Sequence, residues 1–185
     1  MNERAEPRLG TTRIRIGAVI AVAAVVAFVA WLVFKGDDNG NKPKRAPAAA
    51  ATAQSLKGLP ATLGHEVYWA GTKGGYTYEL TQTKRREVYI RYLPSGVQVG
   101  DDRPNFLTVG TYPHPNAFTT VTKASKRKGE FVAKISNGGL AVASQQRPTS
   151  VYFAYPRSNY LVEVFDPSPA RARNLVVSGK VRTIR

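Results

Sequence analysis

The sequence predicts an α+β domain, a mainly antiparallel sheet with two helices, standing behind an N-terminal transmembrane helix. Three observations lead there. One is an unbroken apolar run from Ile16 to Phe34; the second is a series of short segments from Val67 onward in which apolar and polar side chains alternate; the third is a pair of helically spaced stretches opened by cap residues.

The apolar run reads IGAVIAVAAVVAFVAWLVF and holds no charged side chain. At 1.5 Å per residue it reaches about 28 Å as a helix, close to the ~30 Å hydrocarbon core of a bilayer. Trp31 and Phe34 sit at its C-terminal end, and Arg13, Arg15 and Lys35 fence it on both sides. A cleaved signal peptide is the rival reading. Its apolar region is usually only ~7–15 residues, with small residues at the cut, whereas this run is longer and ends in bulky side chains. Basic residues flank the run equally, so orientation rests on placement: Arg13 and Arg15 abut a very short tail. That layout puts residues 1–15 in the cytoplasm as a basic tail, Ile16 to Phe34 across the bilayer, and the chain beyond Phe34 outside, where it ends in an extracytoplasmic domain of a single-pass cell-membrane protein.

Residues 35–60 are polar at first and then rich in Ala and Pro, without a sustained apolar face, and read as a flexible tether. Residues 61–185 are then the domain. Val67 to Ala70 is a brief strand followed by Gly71-Thr72-Lys73-Gly74-Gly75, which reads as a hairpin loop. Tyr76 to Thr81 and Val88 to Tyr92 alternate around a turn at Lys84-Arg85-Arg86, and Phe106 to Tyr112 is a fourth strand stopped by prolines. Asn116 opens a helix with Phe118, Val121 and Ala124 at helical spacing, which Gly129 ends. Phe131 to Ile135 and Leu140 to Ala143 are joined through Asn137-Gly138, a dipeptide that supplies the positive φ angles of a tight hairpin. Val151 to Tyr155 and Tyr160 to Phe165 complete the strands. Ser168 caps a last helix with Pro169 in its first turn and Gly179 at its end. Strands joined by short turns favour antiparallel pairing, with the helices covering the sheet.

The stretches FLTVGTYP (Phe106 to Pro113) and YLVEVFDPSPARAR (Tyr160 to Arg173), behind an anchor and an Ala/Pro tether, resemble uncharacterised membrane-anchored proteins of high-GC Gram-positive bacteria. The resemblance implies a bacterial envelope setting and assigns no residue a role.

Net charge is +15, and after the tail and the stretch 35–45 are set aside the remaining chain still carries 19 basic against 8 acidic residues. Such a field favours acidic partners. The absence of cysteine removes disulfides, thiolate metal sites and a cysteine nucleophile. His65 and His114 belong to no close-spaced ligand set, so no metal or other cofactor is expected. Ser125 to Lys128 matches S-x-x-K without the partner motifs that give it meaning, and Asp101-Asp102 lacks calcium-loop spacing and reads as a solvated turn beside Arg103.

Two clusters remain as candidate binding residues. Lys123, Lys126, Arg127 and Lys128 crowd the end of the first helix; the plain reading is a solvated end matched to the helix dipole, the functional one a contact with anionic headgroups or wall polymer. Nine tyrosines fall almost wholly in strands, where packing accounts for most of them; Tyr89, Arg91 and Tyr152 would form an aromatic platform if their sheet face were exposed. The expectation is a non-catalytic interaction or binding module of the cell envelope. Its partners would be the membrane it spans and an anionic lipid, a wall polymer or an envelope protein, with nucleic acid not expected because no RNP1 or C₂H₂ pattern is present. The alternative is an envelope hydrolase or transferase whose site gathers Asp101, Asp102 or Glu163 with a histidine only in three dimensions.

Overall fold

The computed structural model describes residues 47–185. In chain order the elements are β1 (Ala49–Ala51), α1 (Ala53–Leu63), β2 (Tyr68–Trp69), β3 (Tyr76–Gln82), β4 (Val88–Pro94), β5 (Thr108–Pro113), α2 (Ala117–Ser125), β6 (Phe131–Lys134), β7 (Leu140–Ala143), β8 (Ser150–Ala154), β9 (Tyr160–Phe165), α3 (Pro169–Val177) and β10 (Arg182–Thr183). Eight strands form one sheet in the order β1-β3-β4-β5-β9-β8-β7-β6, antiparallel at every step. β2 and β10 pair as a separate antiparallel ribbon.

The expected fold class is corrected by these elements: among the described residues three α-helices, not two, accompany an eight-stranded sheet and a two-stranded ribbon. Among the described residues no helix is long and apolar enough to cross a membrane. The run Ile16–Phe34 lies outside the described residues. The additional helix, α1, falls in the stretch read as tether. Thr52 and Ser55 cap its start reciprocally, the Thr52 hydroxyl accepting the Ser55 N–H at 3.0 Å and the Ser55 hydroxyl accepting the Thr52 N–H at 2.9 Å. Leu56 and Leu59 lie one turn apart and are buried, while Gly64 closes the helix in the left-handed conformation, its N–H on the Pro60 carbonyl. Just before α1, β1 pairs with β3, so residues 49–60, read from sequence as tether, are part of the packed fold.

Alternation along the strands gives the sheet two covered faces. On β4, Val88, Ile90 and Tyr92 point to one side, into a core shared with Leu56, Leu59, Ala172 and Val176 of α1 and α3 and with Tyr68 and Trp69 of the ribbon. On the other side Tyr89 joins Tyr112, Tyr152 and Leu161 beneath Ala117, Val121 and Ala124 of α2. The fold is thus three layers, with α2 on one side of the sheet and α1, α3 and the ribbon on the other.

The loop Gly71–Gly75 does not close the expected hairpin, because β2 pairs with β10 and β3 belongs to the large sheet. Tyrosine hydroxyls fasten it. The Tyr92 hydroxyl accepts the Ala70 N–H at 2.7 Å and donates to the Gly71 carbonyl at 3.1 Å, and the Tyr78 hydroxyl accepts the Lys73 N–H at 2.8 Å. At the β6–β7 turn Asn137 and Gly138 both take positive φ, 55° and 72°, as a tight hairpin requires.

Candidate functional site

An open groove of about 770 Å³ lies on the layer that holds α1 and the ribbon. Lys57 of α1, Arg157 in the β8–β9 turn, and Arg182 and Arg185 at β10 line it, and all four are exposed. Glu66 is the single acid on its wall. The local sequence explains why the cations converge. α1 ends at Gly64, turning the chain into β2; β10 runs back along β2 in antiparallel register, Arg182 opposite Trp69 and Thr183 opposite Tyr68. Arg157 sits at positive φ, 64°, in the tight turn that returns β8 into β9.

The rings behind the groove form its wall. Tyr68 and Trp69 are buried, and Tyr68 stacks near-parallel on half-buried Tyr155 at 6.4 Å between centroids. The Tyr68 hydroxyl donates to Glu66 Oε2 at 3.1 Å, and burial together with the Glu66 charge pushes the Tyr68 phenol well above its ordinary value.

A second basic surface lies on the opposite layer. Lys123, Lys126, Arg127 and Lys128 are all exposed at and just beyond the C-terminal end of α2, where the last carbonyls favour positive charge. The structure therefore brings this expected cluster together at one exposed helix end.

The expected aromatic platform is not formed. Tyr152 is 1% exposed and Tyr89 9%, both covered by α2. Arg91 shares their face of the sheet but is held in an ion pair with Glu79, Nη1 to Oε1 at 2.6 Å, and donates to the carbonyls of Asp101 and Arg103 in the loop above. The reason is layering: each face of the sheet is covered, so a tyrosine in a central strand is buried whichever way it points.

The acids and histidines of the catalytic alternative are placed apart. Glu163 is 2% exposed under α2, its carboxylate accepting the Tyr112 hydroxyl at 2.6 Å and the Tyr152 hydroxyl at 2.8 Å. Burial raises the Glu163 carboxyl above its ordinary value, while the tyrosine donors and Ser150 pull it back. Tyr112 and Tyr152 are in turn pushed far upward by burial and by the Glu163 charge. Asp101 lies in the loop, paired with Arg103, whose hydrogen bonds hold its carboxyl down to about 2. His114 Nε2 meets the Thr120 hydroxyl at 2.9 Å, and burial lowers its pKa. His65 donates through Nδ1 to the Glu66 carbonyl, stacks on Tyr160, and leaves Nε2 buried without a partner. Ser125 of the S-x-x-K match donates to the Thr122 carbonyl within α2. Among the described residues no three His, Asp or Glu side chains gather as a metal site.

The groove was not foreseen from sequence. Lys57, Arg157 and Arg182 are far apart in the chain, and it is the β2–β10 pairing, with Val181 and Ile184 packed into the core beside Leu56 and Leu59, that carries β10 to this layer; the basic C-terminal stretch from Lys180 to Arg185 was the one available signal. No protein-family model, no curated protein and no solved structure matches this chain.

Proposed function

We propose that this chain is a membrane-held, extracytoplasmic module of a bacterial cell envelope that binds anionic surfaces and performs no chemistry on them. The observation that carries the reading is the exposure of Lys123, Lys126, Arg127 and Lys128 together at the C-terminal end of α2. An exposed basic helix end suits a layer of anionic headgroups, at about 1 kcal/mol per basic residue near the surface. The apolar run Ile16–Phe34 and the basic residues before it support an anchor with its N-terminus in the cytoplasm. Because β1 starts at Ala49, only fourteen residues separate Phe34 from the sheet, a span of at most about 50 Å when fully extended. Such a short connection holds the domain beside the bilayer and raises the effective concentration of headgroups around it. The likeness of FLTVGTYP and YLVEVFDPSPARAR to anchored proteins of Gram-positive bacteria supports the envelope setting.

The test reconstitutes the full chain in liposomes of phosphatidylcholine, with or without phosphatidylglycerol, and follows trypsin cleavage between Lys123 and Lys128. Anionic lipid should protect the segment and raised salt should undo the protection, since exposed charges are screened beyond ~8–10 Å at moderate ionic strength. Equal cleavage in both lipids would overturn the surface reading. In wall-stripped cells, protease added outside should release the domain; protection until lysis would reverse the orientation.

A further inference from the structure

The groove lies on the opposite side of the sheet from the α2 end, and it has a different shape and a different donor balance. We propose that it binds a single chain of a phosphodiester polymer that carries no bases, of the poly(polyol phosphate) kind. Charge complementarity selects an anion, because Lys57, Arg157, Arg182 and Arg185 face one carboxylate, Glu66, and that carboxylate already accepts the Tyr68 hydroxyl. Concavity selects a single chain over a bilayer, whose flat face does not reach the floor of an open groove of about 770 Å³.

The donor balance then chooses among anionic chains. Three guanidinium forks and an ammonium offer many N–H donors and no acceptors. An acidic polypeptide would bring its own backbone N–H groups to a wall whose side-chain acceptors are Glu66 and the neutral Asn137, Ser158 and Thr183, outnumbered by the N–H donors of the four cations. A phosphodiester chain brings charged acceptor oxygens at every repeat, which match the forks two bonds at a time. Nucleic acid would also supply phosphates, but its bases need open ring faces. Tyr68 and Trp69 are 4% and 5% exposed, and Tyr68 and Tyr155 stack on each other.

The experiment uses the full chain in neutral phosphatidylcholine nanodiscs, titrated with poly(glycerol phosphate), with poly-glutamate of equal charge and with oligothymidylate. Poly(glycerol phosphate) should bind tightest and lose affinity as salt rises. Arg157→Gln with Arg182→Gln should weaken it by about tenfold or more, the loss of two charge-assisted forks. Glu66→Gln should tighten it, since it removes the one repulsive charge. Replacing the four α2-end cations by Gln should leave this affinity within about twofold while abolishing the lipid-dependent protection above, so the two surfaces fail or succeed separately. Poly-glutamate or oligothymidylate binding as tightly as poly(glycerol phosphate) would overturn the proposal. So would an unchanged affinity in the Arg157/Arg182 variant, or an equal loss in the α2-end variant, which would reduce the effect to net charge. If the double variant fails to fold, Lys57→Gln with Arg185→Gln reads the same groove from its other wall.

Discussion

Glu79 and Arg91 stand directly opposite each other on neighbouring strands β3 and β4 and form an ion pair of 2.6 Å in which the glutamate side chain is 0% exposed and the arginine 11%. The second Glu79 oxygen accepts the Gly100 N–H at 2.6 Å, and Arg91 donates to the Asp101 and Arg103 carbonyls, so the pair pins the loop between β4 and β5 onto the sheet. Phe106 closes over the Arg91 guanidinium at 5.2 Å. Both Glu79 oxygens and both terminal nitrogens of Arg91 are thus engaged, as a buried pair needs if desolvation is to be offset. Removing one partner leaves an uncompensated charge. Glu79→Leu or Arg91→Met alone should cost about 3–5 kcal/mol, and the double variant considerably less than the sum. Urea unfolding of the four proteins measures the coupling; additive losses would show that the two groups act independently.

The N-terminal correction has a direct consequence for stability. Leu56 is 0% exposed, and truncating it to Ala should cost about 2–5 kcal/mol through lost burial and the cavity left behind. Thr52→Ala removes one half of the reciprocal cap and should cost about 1 kcal/mol. In a flexible tether both substitutions would be silent. Melting midpoints of the full-length variants decide between the two, and an unchanged midpoint for Leu56→Ala would mean that α1 does not pack on the sheet.

How legible this was in the sequence differs from element to element. The strands from Tyr76 to Phe165 and the helices after Asn116 and Ser168 were marked by period-two alternation, by prolines at the right ends and by Asn-Gly in a turn, all local signals. α1 carried local signals too: Thr52-x-x-Ser55, Leu56-Leu59-Leu63 at helical spacing, and Gly64. They were masked by the alanine and proline content around them and by Pro60 inside the helix. The α2 basic end was readable because its residues are contiguous. The burial of Tyr89 and Tyr152 was not, since alternation says that neighbouring residues face opposite ways and is silent on how many faces are covered. The groove depends on β10 pairing with β2 across more than a hundred residues, a tertiary event with no local mark.

Gly110 tests the packing around the buried carboxylate. It faces Glu163 across the β5–β9 pair, and the Tyr112 ring lies over it: a Cβ added there would stand 2.7 Å from the Tyr112 hydroxyl oxygen and 3.0 Å from the ring. Gly110→Ala should therefore push Tyr112 off Glu163 and cost about 1–3 kcal/mol, as overpacking does. In the Tyr112→Phe background, where that hydrogen bond is already absent, the added cost of Gly110→Ala should fall. If the cost is the same in both backgrounds, the clash is with the ring alone and the hydroxyl plays no part.

Glu163 itself predicts a pH dependence with a definite sign. Burial holds its folded-state pKa above the ordinary 4.5 despite the Tyr112 and Tyr152 donors. As pH rises from 4.5 to the folded value, the unfolded chain has released this proton while the native protein still holds it. The native state binds more protons in that window, so stability falls with rising pH there. The contribution is complete below 4.5 and lost once pH passes the folded pKa, each tenfold difference in proton affinity amounting to about 1.4 kcal/mol. Glu163→Gln cannot ionise, so unfolding free energies across pH 4 to 8 should show the variant gaining on the wild type through the window and holding a constant offset above it. Tyr112→Phe removes a donor that favours the charged carboxylate and should extend the same loss to higher pH. Parallel curves for wild type and Glu163→Gln would mean that the native carboxylate keeps an unperturbed pKa, and that the two tyrosine hydroxyls together compensate fully for its removal from water.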